Sequence, residues 1–385
     1  MTMKRFALLA ILLMFSGAWA LSPQKADAPE EVRGTAPDWA GTMKSANAGD
    51  KVAQFRVGDA LFFGLYGASQ DSAQALRWYL RAAEQGLVEA ESRVGFIYLM
   101  GKGAPVDLAA ALHWLEKANE GGDVEAQDLL ATMYIGGQGV QMDPEKGIAL
   151  LQEAIRRGSI DAEAHLSLCY DAGVGVPLDR AKAAELMEAA AAHGHPFAQG
   201  IVGASHLEGM GRTQDFELAY KWLRLAANNH DRTGQRQLGT MYARGLFVQA
   251  DQVEAVKWIS LAAEQGDALA MVALAGHLRE GSGVATDATR AFALYRKAAN
   301  MGFSDAFWGL GDMYARGEAV PQNLSRAYLY LRISAASLLK FGPIPHYYAA
   351  LMAADEIGRQ LPPDVKQIAE DQLAGWTIGR ELPLD

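Results

Sequence analysis

Apolar and small residues recur along this chain at two nested periods. Within short stretches they fall three and four residues apart. Ala90, Val94 and Tyr98 form one such stripe, and Ala111, Trp114 and Ala118 form another. That spacing puts each set on one face of a helix. Gly101 and Gly103 follow the first stripe, where a left-handed backbone ends a helix and turns the chain. Asp107 then stands where its carboxylate accepts from the free amides of a second helix. Pro144, just after Asp143, suits a first helical position. Gly122 closes the second helix, as Gly86, Gly158, Gly194, Gly266 and Gly302 do in the same column.

The whole pattern then repeats. Gly101, Gly137, Gly173, Gly209, Gly245, Gly281 and Gly317 step by 36 residues. The Ala90 column (Ala126, Ala162, Ala198, Gly234, Ala270, Ala306) keeps the same step, as does the Asp107 column (Asp143, Asp179, Asp215, Asp251, Asp287, Asn323). A strict period of this size predicts an all-α chain, a right-handed α-solenoid of antiparallel helix pairs with 36-residue repeats. Such arrays present a long surface suited to binding. Two aromatic columns accompany the period. One runs Trp78, Trp114, Leu150, Leu186, Trp222, Trp258, Leu294, Tyr330; the other runs Tyr98, Tyr134, Tyr170, His206, Tyr242, Leu278, Tyr314. Rings at helical spacing read as structural core, with the Trp114 column as the wedge between helices.

The pattern A-x-x-x-L/V-G/A-x-x-Y-x-x-G-x-G-V-x-x-D-x-x-x-A-x-x-W-x-x-x-A-A-x-x-G resembles the Sel-like repeat, a relative of the tetratricopeptide repeat. Residues 94–122 and 310–336 are typical matches, and the resemblance covers 54–341 as eight repeats. Leu65 replaces the first turn glycine of repeat 1, and Phe247 and Ala319 replace the second in repeats 6 and 8, which suggests looser turns. The resemblance implies a protein-binding superhelix. Bacterial members assemble envelope complexes, restrain sensor kinases in the periplasm, support exopolysaccharide export or engage host proteins. A branch stapled by cysteine pairs has penicillin-binding or hydrolysing activity, but a chain with one cysteine departs from that branch.

The ends read as caps. Residues 38–53 form an N-terminal cap helix with Ala46 in register. After Gly342-Pro343-Ile344-Pro345, residues 342–376 form capping helices, His346 to Gln360 and Pro363 to Trp376, before a tail at 377–385. In the last helix Val365, Ile368, Ala369 and Leu373 are expected inward, with Asp364 and Glu370 in water. Residues 1–20 read as a signal peptide: Lys4 and Arg5, an apolar run from Phe6 to Phe15, and a cleavage site at Ala18-Trp19-Ala20 with the cut after Ala20. Residues 21–37, rich in Ala, Pro and acid, read as a flexible tether. The residue after the cut is Leu21, not the cysteine a lipid anchor needs, and no later stretch reaches the ~20 apolar residues of a membrane span. The expected location is periplasmic or secreted.

Charge removes one partner class. The net charge of −10 lacks the basic footprint of a nucleic-acid binder. Chemistry is also poorly represented. None of the eight histidines, His113, His165, His193, His195, His206, His230, His277 and His346, belongs to an H-E-x-x-H or a Cys/His ligand spacing. His193-x-His195 lies in an inter-repeat turn. No G-x-S-x-G elbow, P-loop or dinucleotide fingerprint appears. Cys169 reads as a small buried hydrophobe. The chain is expected to be no enzyme and to hold no cofactor and no metal.

A partner surface is expected opposite the Ala90 stripe, along the concave face. Phe96, Leu99, Ile135, Leu168 and Leu207 would form an apolar patch in repeats 2 to 5. Arg236, Arg279 and Asp312, joined by Arg244 and Arg316, would form a mostly basic stretch beyond it, able to take a partner's carboxylates. The alternative for the leucines is inter-repeat packing, and for the arginines a solvated face. The partner read here is another protein or peptide. A cell-wall polymer such as peptidoglycan, stacked on Phe96 and Trp308, is the second reading. A hydrolase would need a catalytic cluster the sequence does not assemble.

Overall fold

A computed structural model of the chain describes residues 38–341 and 344–374. The expected signal peptide, tether and tail, with Trp376, lie outside the described residues. Nineteen helices and no strand occur among the described residues. They fall into two compact units, Met1–Ala198 and Gln199–Asp385. Within each unit, helices pack on their neighbours in chain order. The fold is an all-α solenoid of repeats of about 36 residues.

Repeat 2 illustrates the unit. Its first helix, Val88–Met100, ends on Gly101 in the left-handed conformation, whose N–H donates to Ile97 O. Gly103 follows with φ 95°. A Cβ on Gly103 would collide with the backbone carbonyl of Ser72 in the preceding repeat. Glycine is therefore required there by space as well as by dihedral angle. The turn closes when Asp107 N donates to Tyr98 O at 3.0 Å. The equivalent bond recurs from Asp143, Asp179, Asp215, Asp251, Asp287 and Asn323. Asp107 Oδ1 then accepts from Ala109 N and Ala110 N and caps the second helix, Leu108–Glu120, a contact worth about 1 kcal/mol. Phe247 (φ 65°) and Ala319 (φ 62°) adopt the same left-handed geometry as the glycines they replace. The looser turns expected there are not found. The backbone is imposed by its neighbours, at about 1–2 kcal/mol of strain per residue.

In repeats 1 to 7 the centre lies one residue beyond the expected wedge, whereas in repeat 8 the expected Tyr330 is itself fully buried. Leu115, Leu151, Leu223, Ile259 and Leu331 are buried, as are Tyr79, Met187 and Tyr295 at the same position. Trp114, Trp222 and Trp258 are half-buried at the edge, with Lys117 Nζ 4.9 Å from the Trp114 ring and Lys257 Nζ 5.3 Å from that of Trp258. Among the other expected core rings, Tyr314 is buried, whereas Tyr98, Tyr134, Tyr170 and Tyr242 are half-buried. The reason is close approach. A Cβ on Gly95 would lie 2.6 Å from Leu115 Cγ, and Gly203, Gly239 and Gly311 meet Leu223, Ile259 and Leu331 in the same way. Ala111, Leu115 and Ala118 thus form the inner stripe, and Trp114 sits beside it.

The ends differ from expectation in detail. The N-terminal helix is Trp39–Asn47, with Ala46 buried. The first helix of repeat 1, Lys51–Phe63, is capped by Gly64 (φ 66°), one residue before the position where the period puts it. Leu65 therefore replaces nothing; it is buried. After Leu324–Phe341, the closing helices are Ile344–Gly358 and Pro363–Ala374. In the last of these Ala369 is buried, but Ile368 is exposed. Glu370 turns toward the array, where it accepts from the Tyr328 hydroxyl and pairs with Arg332.

The register has a measurable consequence. Leu115→Ala should destabilise the protein by about 2–5 kcal/mol, and Trp114→Ala by less, although tryptophan is the larger side chain. Thermal unfolding followed by circular dichroism should rank the two midpoints in that order. The opposite order would return the Trp114 column to the centre.

Candidate interaction surface

First helices of adjacent repeats touch at two junctions: Val88–Met100 meets Val124–Gly136, and Ala268–Glu280 meets Ser304–Arg316. This contact takes up much of the face expected to be open. Phe96, 2% exposed, stands edge-on to Phe62 of the preceding repeat at 6.5 Å. Ile135, also 2% exposed, lies in a cluster with Ile148 and Leu151. Its side chain reaches to 2.5 Å from where a Cβ on Gly147 would be. Leu207, 6% exposed, packs with Leu223 and Leu238. For these three the expectation of an open apolar patch is corrected, because a single helix cannot bury both of its apolar flanks without its neighbours. Leu99 and Leu168 are half-buried. Trp308, also half-buried, packs near Ala335, Ala350 and Ala354 beneath the closing helices.

Arg236, Arg279 and Arg316 are engaged within the chain, and Arg244 is exposed. Arg236 Nε donates to Asp267 Oδ2 at 3.2 Å. Arg279 Nη2 donates to Asp312 Oδ2 at 2.6 Å, and its Nε to Glu318 Oε2 at 2.8 Å. Arg316, largely exposed, donates to the other oxygen of Asp312 at 2.9 Å. Burial works against the Arg279 charge, but the two carboxylates outweigh it and hold its pKa above the ordinary value. These residues link one repeat to the next. Carboxylates of a partner would have to compete for them.

A recurring polar contact was not anticipated from the sequence. A Gln or Glu on the first helix meets the residue thirty positions later, at the end of the second. Gln127 accepts from Arg157 at 3.3 Å, Glu163 pairs with His193 at 2.8 Å, Gln199 accepts from Asn229 at 3.2 Å, and Gln235 from Gln265 at 2.7 Å. In repeat 2 the matching residue is Gly121, and Glu91 instead takes Lys117 at 3.0 Å. The signal lay in a polar residue on an otherwise apolar helix face, paired at a fixed offset. His193 is one member of this series. His195 is a cap: its Nδ1 accepts from Ala198 N at 3.2 Å, and its Nε2 lies 3.2 Å from Asp161. Among the described residues, no group of three or more His, Cys, Asp or Glu is placed to hold a metal ion. Cys169 is buried, and burial, with Asp128 adding, pushes its thiol up to about 12. Such a thiol is a poor nucleophile.

Repeat 1 departs from its siblings in one buried position. Its first helix is shifted by one residue, so Gly58 meets Tyr79 as Gly95 meets Leu115, and the next residue, Asp59, is buried and accepts from the Tyr79 hydroxyl at 2.7 Å. Burial raises its pKa, against the nearby Arg93 guanidinium and the Tyr79 hydrogen bond. Arg93 is itself buried and pairs with Glu125 of repeat 3 at 3.7 Å. No helix among the described residues is long and apolar enough to cross a membrane.

The Sel1 repeat family model matches residues 51–87, 88–123, 124–159, 160–195, 196–231, 233–267, 268–303 and 304–337. Among solved structures, a Sel1 repeat protein from Oxalobacter formigenes is similar at 28% identity and a TM-score of 0.50, over 88% of this chain and 92% of that one. A protective antigen of uropathogenic Escherichia coli displaying an SLR fold is similar at 23% identity and a TM-score of 0.36, over 87% and 85% of the two chains. No curated protein matches the chain.

Two outcomes follow from the ion pairs. Removing the shared guanidinium with Arg279→Ala should destabilise the second unit by about 1–3 kcal/mol, read as a lower melting temperature. In the first unit, burial raises the Asp161 pKa, but the His195 hydrogen bond and the charges of His195 and His165 outweigh it and hold the carboxyl below its usual range. A depressed carboxylate stabilises the fold above its unfolded pKa of about 3.9 and loses that contribution as pH falls through the lower folded value. Asp161→Asn should therefore flatten the fall in melting temperature below about pH 4. The side chain is exposed, so the effect is modest.

Proposed function

This chain belongs to the Sel1 repeat family, with eight repeats between residues 51 and 337, and from that premise we propose that it is a non-catalytic scaffold or adaptor, exported to the periplasm, that binds a partner protein or peptide along its repeats. Proteins of this family generally serve as protein-interaction scaffolds. The observation that carries the reading is how the repeats use their side chains. Each pair buries its large apolar groups against its own partner helix and the next repeat. What remains outside, among the described residues of the repeats, is a surface that recurs with the period. A periodic surface suits an extended partner. Leu99, Leu168 and Arg316 keep enough exposure to belong to it.

Export is supported by Lys4 and Arg5, the apolar run behind them and Ala18-Trp19-Ala20. The test is in-cell crosslinking of the tagged chain in a bacterial periplasm, followed by mass spectrometry. The expected result is a defined partner protein bound to a chain that begins at Leu21. Recovery of cell-wall fragments alone, with co-sedimentation on purified sacculi, would replace the protein partner with a polymer. An uncleaved chain in the cytosol would overturn the export.

A further inference from the structure

Between the two helices of a repeat, the residue just before the capping Asp or Asn occupies the outer corner of the turn. In repeats 1, 5 and 8 it is glutamine with a structural task. Gln70, Gln214 and Gln322 each donate from Nε2 to a carbonyl at the end of the first helix: Phe62 O at 2.9 Å, Leu207 O at 2.7 Å and Ala315 O at 2.8 Å. In repeats 6 and 7 it is Ala250 and Thr286. In repeats 2, 3 and 4 it is aliphatic: Val106, Met142 and Leu178 are 58%, 56% and 61% exposed. These repeats thus lack a glutamine hydrogen bond used elsewhere in the chain, which contributes about 0.5–1.5 kcal/mol. Each instead presents a large apolar side chain to water, and each lies one period from the next. Single exposed aliphatics are ordinary; three in register form a patch.

We infer that Val106, Met142 and Leu178 form a docking ladder for a basic amphipathic helix of the partner, with an aliphatic residue at every seventh position. This rests on the scaffold reading and says where one partner binds it. Two arguments select the occupant. The first is spacing. The first helices of repeats 2 and 3 touch, which puts the Val106 and Met142 rungs about 10 Å apart, and Leu178 follows at the same 36-residue step. A helix advances about 10.5 Å in seven residues, so one apolar residue per heptad meets one rung. The second is charge. Each rung is followed at once by an exposed carboxylate, Asp107, Asp143 or Asp179, with one oxygen held by helix amides. Nearby cations are engaged: Lys146 donates to the Tyr134 hydroxyl, and Arg180 lies 3.9 Å from Asp171. Residues 38–198 carry 13 Lys and Arg against 22 Asp and Glu, whereas 199–385 carry 18 against 20. Lysine or arginine beside the partner's aliphatic residues would meet the acidic flanks.

The probe is a fluorescent 21-residue helical peptide with leucine at every seventh position and lysines flanking each leucine, titrated with the full chain and read by anisotropy. The key variant replaces Val106, Met142 and Leu178 with glutamine, the residue that sibling repeats tolerate at this corner. It should melt no lower than the original chain, because each glutamine can form the hydrogen bond seen in its siblings, and it should weaken binding by about tenfold or more. A control peptide with its leucines respaced every fifth residue should bind no better to the original chain than the heptad peptide binds to the variant. Equal affinity for both peptides, or unchanged affinity in the variant, would overturn the ladder. So would self-association of the original chain, seen by sedimentation and abolished in the variant, because a second copy would then cover the rungs. A periplasmic partner captured undiminished by the variant would leave the scaffold reading in place while removing this site. Failure of the scaffold reading itself would show as no protein captured by either chain.

Discussion

No side chain fits at Gly95. Its position faces Leu115 across the interface of two helices, and a single Cβ would already be closer than packed atoms come. Gly203, Gly239 and Gly311 are under the same restriction against Leu223, Ile259 and Leu331. The other features of a repeat follow from holding two helices at this distance. The turn between them must be tight, so its first glycine is left-handed and its second lies against the backbone of the preceding repeat. The second helix must start at a fixed point, so an aspartate caps it and returns its amide to the first helix. Repeat 1 keeps the restriction at Gly58, which faces Tyr79, and the hydroxyl of that ring supplies the hydrogen bond that the adjacent buried carboxylate of Asp59 needs.

Local chemistry explains what was legible in the sequence. Glycines with left-handed φ, aspartate caps and a small-residue column each act within one turn of chain, so the period, the helix pairs and the fold class could be read directly. The wedge could not. Trp114 and Leu115 are adjacent and both apolar, and the apolar stripe of a helix is wide enough to admit either. Only the approach of Gly95 decides between them. Contacts between repeats were hidden for the same kind of reason. Phe96 looks exposed on an isolated helix, and its burial against Phe62 depends on how repeats stack. Arg279 looks unpaired until Asp312 and Glu318, 33 and 39 residues on, are brought beside it.

The polar pairs at an offset of thirty residues show how stacking tolerates change. Their members differ from repeat to repeat: Gln with Arg, Glu with His, Gln with Asn, Gln with Gln. In each, a buried donor or acceptor is satisfied, which matters more than which groups do it. In repeat 7 the same two positions are Met271 and Met301, and the polar requirement disappears from both together. A pair that changes jointly is a constraint on folding. It says little about a partner, because its buried members are turned toward the chain itself.

This distinction locates recognition. Most large apolar groups on the first helices are committed to neighbours, and Arg236, Arg279 and Arg316 are held by carboxylates of the same unit. Exposed aliphatic side chains with no such commitment carry more information than their number suggests. At the outer corners of repeats 2 to 4 they sit on a backbone fixed by two left-handed glycines, an aspartate cap and an amide-to-carbonyl bond. A rigid corner loses little conformational freedom when a partner docks, so a few side chains can bind more strongly there than on a mobile loop. The geometry that makes the turn tight enough for Gly95 to meet Leu115 is also what makes it a fixed platform.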